Sequence, residues 1–205
     1  IGYQGQGMND GKTMGSVRRR ALFHAEKSAI LILKKPWPEI KSIAVGIDGS
    51  LGSYSALDTA IKLSKRFGWP LHLAAVCDPF FHSHVFHRIS GSLSEVAKAR
   101  FDIEAQKKLH DEIIGSGLER VYQTGLELGK RMCDESEAKS DTALMSGRVA
   151  QAIATQTPSD HLLVLGRVGL HDDGAFSLGS NAGLLAEFHL GNVPIAPIVP
   201  IVPIV

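Results

Sequence analysis

Short apolar runs alternate with amphipathic stretches along most of this chain. The apolar runs predict buried strands at Ile43 to Ile47, Leu71 to Val76, Thr142 to Met145, Leu162 to Leu165 and Val193 to Ile198. Strands that alternate with helices favour a parallel sheet with helices on both faces. We therefore expect an α/β fold built on a doubly wound, mainly parallel sheet of five strands.

Helical periodicity fills the intervals between these strands. The first interval opens with the turn Asp48-Gly49-Ser50, after which Ser53 is expected to cap a helix that ends at Gly68. Further helices are predicted over Leu93 to Ser136 with a break near Gly115, over Arg148 to Thr157, and over Asn181 to His189.

An internal repeat is the strongest organisational signal. Four positions recur at the same offset of 164 residues: Gly2, Gly5, Gly15 and Ser16 return as Gly166, Gly169, Gly179 and Ser180. The first copy continues into a helix-like stretch, Val17 to His24, and an apolar strand, Ala29 to Leu33. The second copy continues in the same way, which indicates that the two segments share one structure.

Composition excludes several classes of function. The 22 Lys and Arg residues nearly balance the 21 Asp and Glu residues, so no basic face for nucleic acid is expected. No apolar run reaches the roughly 18 residues that a membrane-spanning helix needs. The two cysteines suit a reduced interior, and no signal peptide is visible in a sequence that begins at Ile1, so we expect a cytoplasmic protein.

The second glycine pattern carries the candidate chemistry. It follows an apolar strand and opens a helix, where Gly166 and Gly169 allow a sharp turn and a close approach to a ligand. Gly179, Ser180 and Asn181 would present N–H groups to a phosphate at the helix N-terminus. The alternative is a glycine-rich turn that only packs tightly.

These features together resemble the universal stress protein family. The resemblance rests on Ile43 to Ser50, on Ala75 to Asp78, and on the pattern Gly166-x2-Gly169-x9-Gly179-Ser180, which is similar to the ATP-binding spacing of that family. It implies an adenine nucleotide α-hydrolase-like sheet with strand order 3-2-1-4-5. It also implies pairing through the last strand, as a homodimer or as a pseudo-dimer within one chain.

The resemblance further implies a site for ATP, or for AMP or ADP. Asp48 would accept hydrogen bonds from the ribose hydroxyls, and Val76 would meet adenine through its backbone. The full set implied is Gly46, Ile47, Asp48, Val76, Leu165, Gly166, Gly169, Gly179, Ser180 and Asn181. Within it, Gly46 and Ile47 would line the base and sugar, Gly166 would lie under the sugar, and the residues from Gly169 onward would surround the phosphates.

Two departures from the family pattern concern the phosphate end. Ala182 stands where ATP-binding members often carry Ser or Thr, so one hydroxyl is missing. Asp172 and Asp173 place two carboxylates in the loop, which would repel a triphosphate unless a divalent cation such as Mg²⁺ lay between them. A solvated loop is the alternative interpretation of these two aspartates.

The same resemblance divides the chain into unequal parts. Residues 1–34 are expected to be the C-terminal remnant of a first universal stress protein domain, 35–40 a linker, 41–198 a complete domain, and 199–205 a low-complexity tail. A segment of 34 residues buries too little surface to fold alone. Its strand, Ala29 to Leu33, therefore needs a cover, and we expect it close to the strand that begins at Val193.

Three functions are compatible with the sequence. The first is a nucleotide-dependent regulatory, stress-response module without fast catalysis, because no residue is evident as a general base or nucleophile. The second is a metal-binding module with slow ATPase activity through His82, His84 and His87, although no stoichiometric metal is expected there. The third is a dimerisation module that has lost nucleotide binding.

Overall fold

The structure is a computed structural model that describes residues 16–24, 30–32, 39–78, 88, 91–100, 102–170, 178–188 and 193–196. Its strands are β1 (Ile30–Ile32), β2 (Ser42–Gly46), β3 (Leu71–Cys77), β4 (Ser140–Ser146), β5 (His161–Gly166) and β6 (Val193–Ala196). Its helices are α1 (Ser16–His24), α2 (Leu51–Phe67), α3 (Glu95–Arg100), α4 (Ile103–Glu135), α5 (Val149–Gln156) and α6 (Ser180–Phe188). None of the helices in these ranges combines the length and apolar character that crossing a membrane requires.

All six strands belong to one sheet, in the order β1-β6-β5-β2-β3-β4. Every neighbouring pair is parallel except β1 and β6, which run antiparallel. The predicted α/β class and mainly parallel sheet are confirmed, and the strands β2 to β6 follow the order 3-2-1-4-5. The expected number of five strands is wrong, because β1 adds a sixth at the edge next to β6.

The added strand lies where the internal repeat predicts it. Ile30 pairs with Ile195 and Leu31 pairs with Pro194, so the expected proximity to the strand beginning at Val193 is met within one chain. A local two-fold axis through this pair exchanges Ile30 with Pro194 and Leu31 with Ile195. These are also the positions that the 164-residue offset relates, so the strand register agrees with the repeat in the sequence.

The helices that open after the two glycine patterns repeat in the same way. Helix α1 begins at Ser16 and α6 begins at Ser180, and each has 9 residues. The offset between the two helices is again 164 residues. The repeated unit is therefore a helix followed by a strand, whereas the division of the chain into a domain remnant and a complete domain remains a prediction.

Two apolar clusters cover the two faces of the sheet. On one face α2 and α4 pack on the central strands, with a cluster that includes Val45, Leu57, Leu73, Leu126 and Val164. On the other face the cluster draws on α1, α5 and α6 and includes Leu22, Ile153, Leu163, Leu185 and Ile195. Helix α1 is therefore part of the second core.

The start of α2 differs from the sequence prediction. Ser50, not Ser53, is the N-cap, because its Oγ accepts a hydrogen bond from Ser53 N at 3.1 Å. Ser53 Oγ instead donates to Ser50 O at 2.9 Å. The predicted end at Gly68 is confirmed, since this residue has φ 73° and donates its N–H to Ser64 O.

The predicted break near Gly115 is also wrong. Helix α4 continues from Ile103 to Glu135 through this region, and the interruption lies earlier, at Asp102. Asp102 has φ 44° and its carboxylate accepts a hydrogen bond from Ala105 N at 3.4 Å. A glycine inside a helix costs only about 1 kcal/mol, so it does not by itself end a helix that has no competing cap.

Replacement of Leu22 tests whether α1 packs on the rest of the domain. Leu22 is 1% exposed, so Leu22→Ala should lower the free energy of unfolding by about 2–4 kcal/mol in a urea titration. Val17 on the same helix is 77% exposed, and Val17→Ala should change the free energy of unfolding by less than about 0.5 kcal/mol. Equal stability of the two variants would show that α1 does not dock in solution.

Candidate functional site

The candidate site lies where the order of the strands reverses. From β2 the chain passes through α2 to β3 on one side, whereas β5 lies on the other side of β2. The carboxyl ends of parallel strands form a crevice at such a reversal, and ligands of doubly wound sheets bind there. Asp48 follows β2 and the second glycine pattern follows β5, so the structure brings both predicted parts to this crevice.

The Asp48 carboxylate connects the two parts directly. Its Oδ1 accepts hydrogen bonds from Ser50 N at 2.9 Å and from Ser50 Oγ at 2.6 Å. Its Oδ2 accepts a hydrogen bond from Leu170 N at 2.9 Å, across 122 positions of sequence. A carboxylate has about four acceptor positions. The described residues use three of them, so Oδ2 has a position at which a further donor such as a hydroxyl group would bind.

Glycines surround this connection because the backbones come into contact. A Cβ added at Gly166 would lie 2.6 Å from the carbonyl carbon of Gly52. One added at Gly169 would lie 2.5 Å from Asp48 Oδ2, and one added at Gly52 would overlap the carbonyl oxygen of Val168. The sequence analysis identified Gly166 and Gly169 but missed Gly52, whose only signal is a glycine in the first turn of a predicted helix.

The helix that closes the loop presents its N-terminus beside these glycines. Gly179 N donates to Arg167 O at 2.8 Å, so the expectation that this N–H faces a phosphate is wrong. Gly183 N donates to Gly179 O at 2.9 Å and is the first hydrogen bond within α6. The N–H groups of Ser180 and Asn181 precede it and therefore point out of the helix end. Both residues are exposed, and the first turn of α6 carries no acidic residue.

The backbone of Val76 is directed towards the same crevice. Ala74 O accepts from Ile47 N on the β2 side of β3, whereas Cys77 O accepts from Gly147 N on the β4 side. Backbone polar groups of alternate residues in a strand point to the same side. The N–H and C=O of Val76 therefore point to the β2 side, beyond Gly46, the last residue of β2.

The remaining predicted residues lie close to the crevice but contribute little surface to it. Ile47 is 3% exposed and its side chain belongs to the first core, so only its main chain is placed to line a base or sugar, which stays a prediction. A Cβ at Gly46 would lie 3.1 Å from Leu165 Cδ2. Gly46 and Leu165 thus fix the spacing of β2 and β5 and do not offer side chains to a ligand.

Two tyrosines that the sequence analysis did not identify lie near Asp48. Burial raises the pKa of Tyr122, and the nearby Cys77, Asp48 and Asp78 raise it further. Burial, followed by the charge of Asp48, raises the pKa of Tyr54, whose Oη donates to Gly125 O at 3.3 Å. Both phenols are therefore protonated near neutral pH. Their spacing in two different helices gave no sequence signal, because only the packing of α2 against α4 brings them to the site.

Several predicted residues fall outside the described parts of the chain. These are His82, His84, His87, Asp172, Asp173, Gly2, Gly5 and Gly15. Within the described parts, no group of three or more His, Cys, Asp or Glu side chains is arranged to hold a metal ion.

Comparisons with known proteins agree with this architecture. The model of the Universal stress protein family matches residues 39–187. A functionally unknown protein from Pseudomonas aeruginosa PAO1 has TM-score 0.53 and 14% identity, covering 97% of this chain and 62% of its own. A protein from the universal stress protein family of Burkholderia pseudomallei has TM-score 0.50 and 17% identity, and the match covers 79% of this chain and 99% of that protein.

A universal stress protein in complex with cAMP has TM-score 0.49 and 18% identity, covering 78% of this chain and 98% of its own. No curated protein sequence matched the chain. At these levels of identity, the structural similarity concerns the fold.

Replacing Gly166 with alanine tests the close backbone contact. The new methyl group would collide with the Gly52 carbonyl group, and overpacking of this kind costs about 1–3 kcal/mol of unfolding free energy. A Cβ added at Gly117 in α4 would meet no described atom within 4 Å apart from its chain neighbours and its own helix backbone, so Gly117→Ala should leave stability unchanged or raise it by up to about 1 kcal/mol. A urea titration in which both variants behave alike would contradict the contact.

Proposed function

The chain belongs to the universal stress protein family. From that premise we propose that it is a nucleotide-dependent regulatory module. It would bind an adenine nucleotide, with ATP as the first candidate, in the crevice between β2 and β5. The single observation that carries the proposal is the convergence of three segments at one point. The hydrogen bond from Leu170 to Asp48 and the hydrogen bond from Gly179 to Arg167 hold the loop and α6 against the end of β2.

The base and sugar would occupy the β2 and β3 side of the crevice. The backbone N–H and C=O of Val76 offer one donor and one acceptor, which suits the edge of an adenine ring. The remaining acceptor position on Asp48 Oδ2 suits a ribose hydroxyl. We call the segment from Gly166 to Gly179 the glycine loop. Because Asp48 also holds Leu170, occupation of the sugar site would stabilise the first part of this loop.

The phosphates would occupy the α6 side. The N–H groups of Ser180 and Asn181 and the hydroxyl of Ser180 would donate to phosphate oxygens, and the helix dipole favours negative charge at this end. Ala182 supplies no hydroxyl, so the backbone carries most of the interaction with the terminal phosphate. Within the described residues no group is arranged to hold a metal ion, and Asp172 and Asp173, the candidates for Mg²⁺, lie outside them.

The proposed role is binding and regulation without rapid turnover. Burial raises the pKa of the Cys77 thiol near the site, and Glu119 and Asp78 raise it further, so this thiol is not a thiolate nucleophile near neutral pH. Occupancy by nucleotide would further stabilise Gly169 and Leu170 beside Asp48 and the start of α6 beside Arg167. We expect this stabilisation, and not a chemical step, to be the signal that the protein transmits.

Asp48→Asn tests the shared acceptor. An amide offers a single acceptor oxygen and places an NH₂ group against either Ser50 or Leu170, so one of these hydrogen bonds is lost. The variant should lose about 1–3 kcal/mol of unfolding free energy and bind ATP about tenfold more weakly by calorimetry, which corresponds to about 1.4 kcal/mol. Asp58→Asn, which removes an exposed ion pair with Lys62, is the matched control. ATP affinity equal in both variants would refute the role of Asp48.

Gly179→Val tests the phosphate end. A Cβ at Gly179 would make only ordinary contacts at 3.5 Å or more, so the fold should tolerate the change, while the branched side chain obstructs the end of α6. We expect ATP affinity to fall at least about tenfold, with adenosine affinity much less affected. Gly183→Ala, one turn later, is the control, since its Cβ would lie 3.6 Å from Leu178.

The same titration separates the proposal from its alternatives. Equal losses of ATP and adenosine affinity in Gly179→Val would place the phosphates elsewhere. If the unaltered chain bound none of ATP, ADP and AMP, the nucleotide proposal would be wrong, and the metal-binding and dimerisation modules would remain as the alternatives.

A further inference from the structure

Arg167 is a buried cation within the glycine loop that the proposed site does not use. It lies directly after Gly166 and is 3% exposed. Its Nη2 donates to the carbonyl oxygen of Leu22 at 2.6 Å and to that of Phe23 at 2.8 Å. These carbonyls belong to the last turn of α1, about 145 positions earlier in the chain.

The chemistry of a helix end explains why an arginine occupies this position. The last carbonyls of a helix have no partner within it, and the dipole makes this end negative. Within α1 itself, His24 is the only basic residue in the last turn. The Arg167 guanidinium therefore supplies the charge and the donors that cap α1, and the capped carbonyls in turn compensate a cation that would otherwise be costly to bury.

The backbone of the same residue helps to build the proposed nucleotide site. Arg167 O accepts the hydrogen bond from Gly179 N that fixes the start of α6. Its neighbours Gly166 and Val168 contact the backbone of Gly52. The side chain of Arg167 thus holds α1, while its main chain holds the two ends of the glycine loop together.

The other described contacts of α1 are apolar packing in the second core and one ion pair. Leu22 packs into the second apolar core. Arg19 forms an ion pair with Glu187 at 3.4 Å, but the Arg19 side chain is mostly exposed, and pairs of this kind contribute little. The hydrogen bonds of Arg167 are the polar contacts described between α1 and the segment that follows Gly166.

We propose that Arg167 is a positioning residue that couples docking of α1 to nucleotide binding, so that each stabilises the other. This inference rests on the proposed function. Coupling between two sites is reciprocal: if docking of α1 favours the loop conformation that binds nucleotide, nucleotide must favour docking of α1 by the same factor. A purely structural anchor would hold α1 without changing affinity.

The test uses the full chain with Arg167→Met, which keeps the length of the side chain, and Arg167→Lys, which keeps the charge but not the planar pair of donors. Arg19→Met is the control on α1. Two quantities are measured for each protein: the affinity for ATP by calorimetry, and hydrogen exchange of the amides of residues 17–24 with and without ATP.

In the unaltered chain and in Arg19→Met, ATP should slow exchange in residues 17–24. In Arg167→Met, the amides of residues 17–24 should exchange at least about tenfold faster than in the unaltered chain, and ATP should no longer slow this exchange. The affinity for ATP should fall about tenfold, which lies within the usual range of coupling between sites. The exchange rates and ATP affinity of Arg167→Lys should lie between those of the unaltered chain and those of Arg167→Met. Faster exchange at unchanged ATP affinity would overturn the coupling while leaving the nucleotide site intact.

A second variant covers the case in which Arg167→Met does not fold. Leu22→Asp releases α1 from the second core and changes no residue of the loop itself. It should weaken ATP binding by a similar factor, and combining it with Arg167→Met should add little, because residues that act through one contact are not additive. Unaltered ATP affinity in Leu22→Asp, with fast exchange in α1, would also overturn the inference. Absence of ATP binding in the unaltered chain would overturn both the inference and the proposed function.

Discussion

The site and much of its scaffold depend on one carboxylate that two distant segments share. Asp48 accepts from Ser50 on its own turn and from Leu170 on the loop after β5. For that contact to form, the loop must come so close that no Cβ fits at Gly169, and its start must lie against α2 so closely that none fits at Gly166. The glycine spacing is thus a requirement of the packing as well as of any ligand, and the two explanations are not exclusive. The protein itself holds Gly169 and Leu170 at this distance from Asp48, so a nucleotide would not have to supply the free energy for bringing these two residues to the crevice.

The sequence was sufficient for those features that depend on local pattern. Apolar runs located the strands β2 to β6, and the position of the glycines after a strand and before a helix located the crevice. Features decided by contacts between distant segments could not be predicted. The hydrogen bond that removes the N–H of Gly179 from the phosphate end depends on the path of the loop back to Arg167. The capping of α1 by Arg167 spans most of the chain, and an arginine in a loop normally indicates a solvated side chain. The cap of α2 moved from Ser53 to Ser50 because Asp48 fixes the Ser50 hydroxyl and main chain.

The repeat in the sequence acquires a physical meaning from the β1 and β6 pair. An edge strand exposes unpaired N–H and C=O groups, which favour pairing with another chain. Here β1 pairs with the edge of β6, and the register places equivalent residues of the two repeats around a local two-fold axis. Such an arrangement is what a pseudo-dimer within one chain would produce. It leaves β4 at the other edge of the described sheet, where Asp141 is among its exposed residues. A charged side chain on an edge strand is a common protection against further pairing.

The first repeat therefore contributes more to the domain than a cover for an edge. Its helix supplies Leu22 to the second core, and that core also contains Leu165, the residue before the glycine loop, and Ala182 and Leu185 of α6. The strand and helix that flank the loop are thus packed against the segment that Arg167 caps. A change in the docking of α1 would alter the packing at both ends of the loop, through apolar contacts on one side and through the guanidinium on the other. Affinity in the crevice then becomes sensitive to a segment that contributes no side chain to it. If the module works by binding and not by turnover, as proposed, occupancy of the crevice would be communicated to the first repeat by this route. The reverse effect would have the same strength because the coupling free energy is shared.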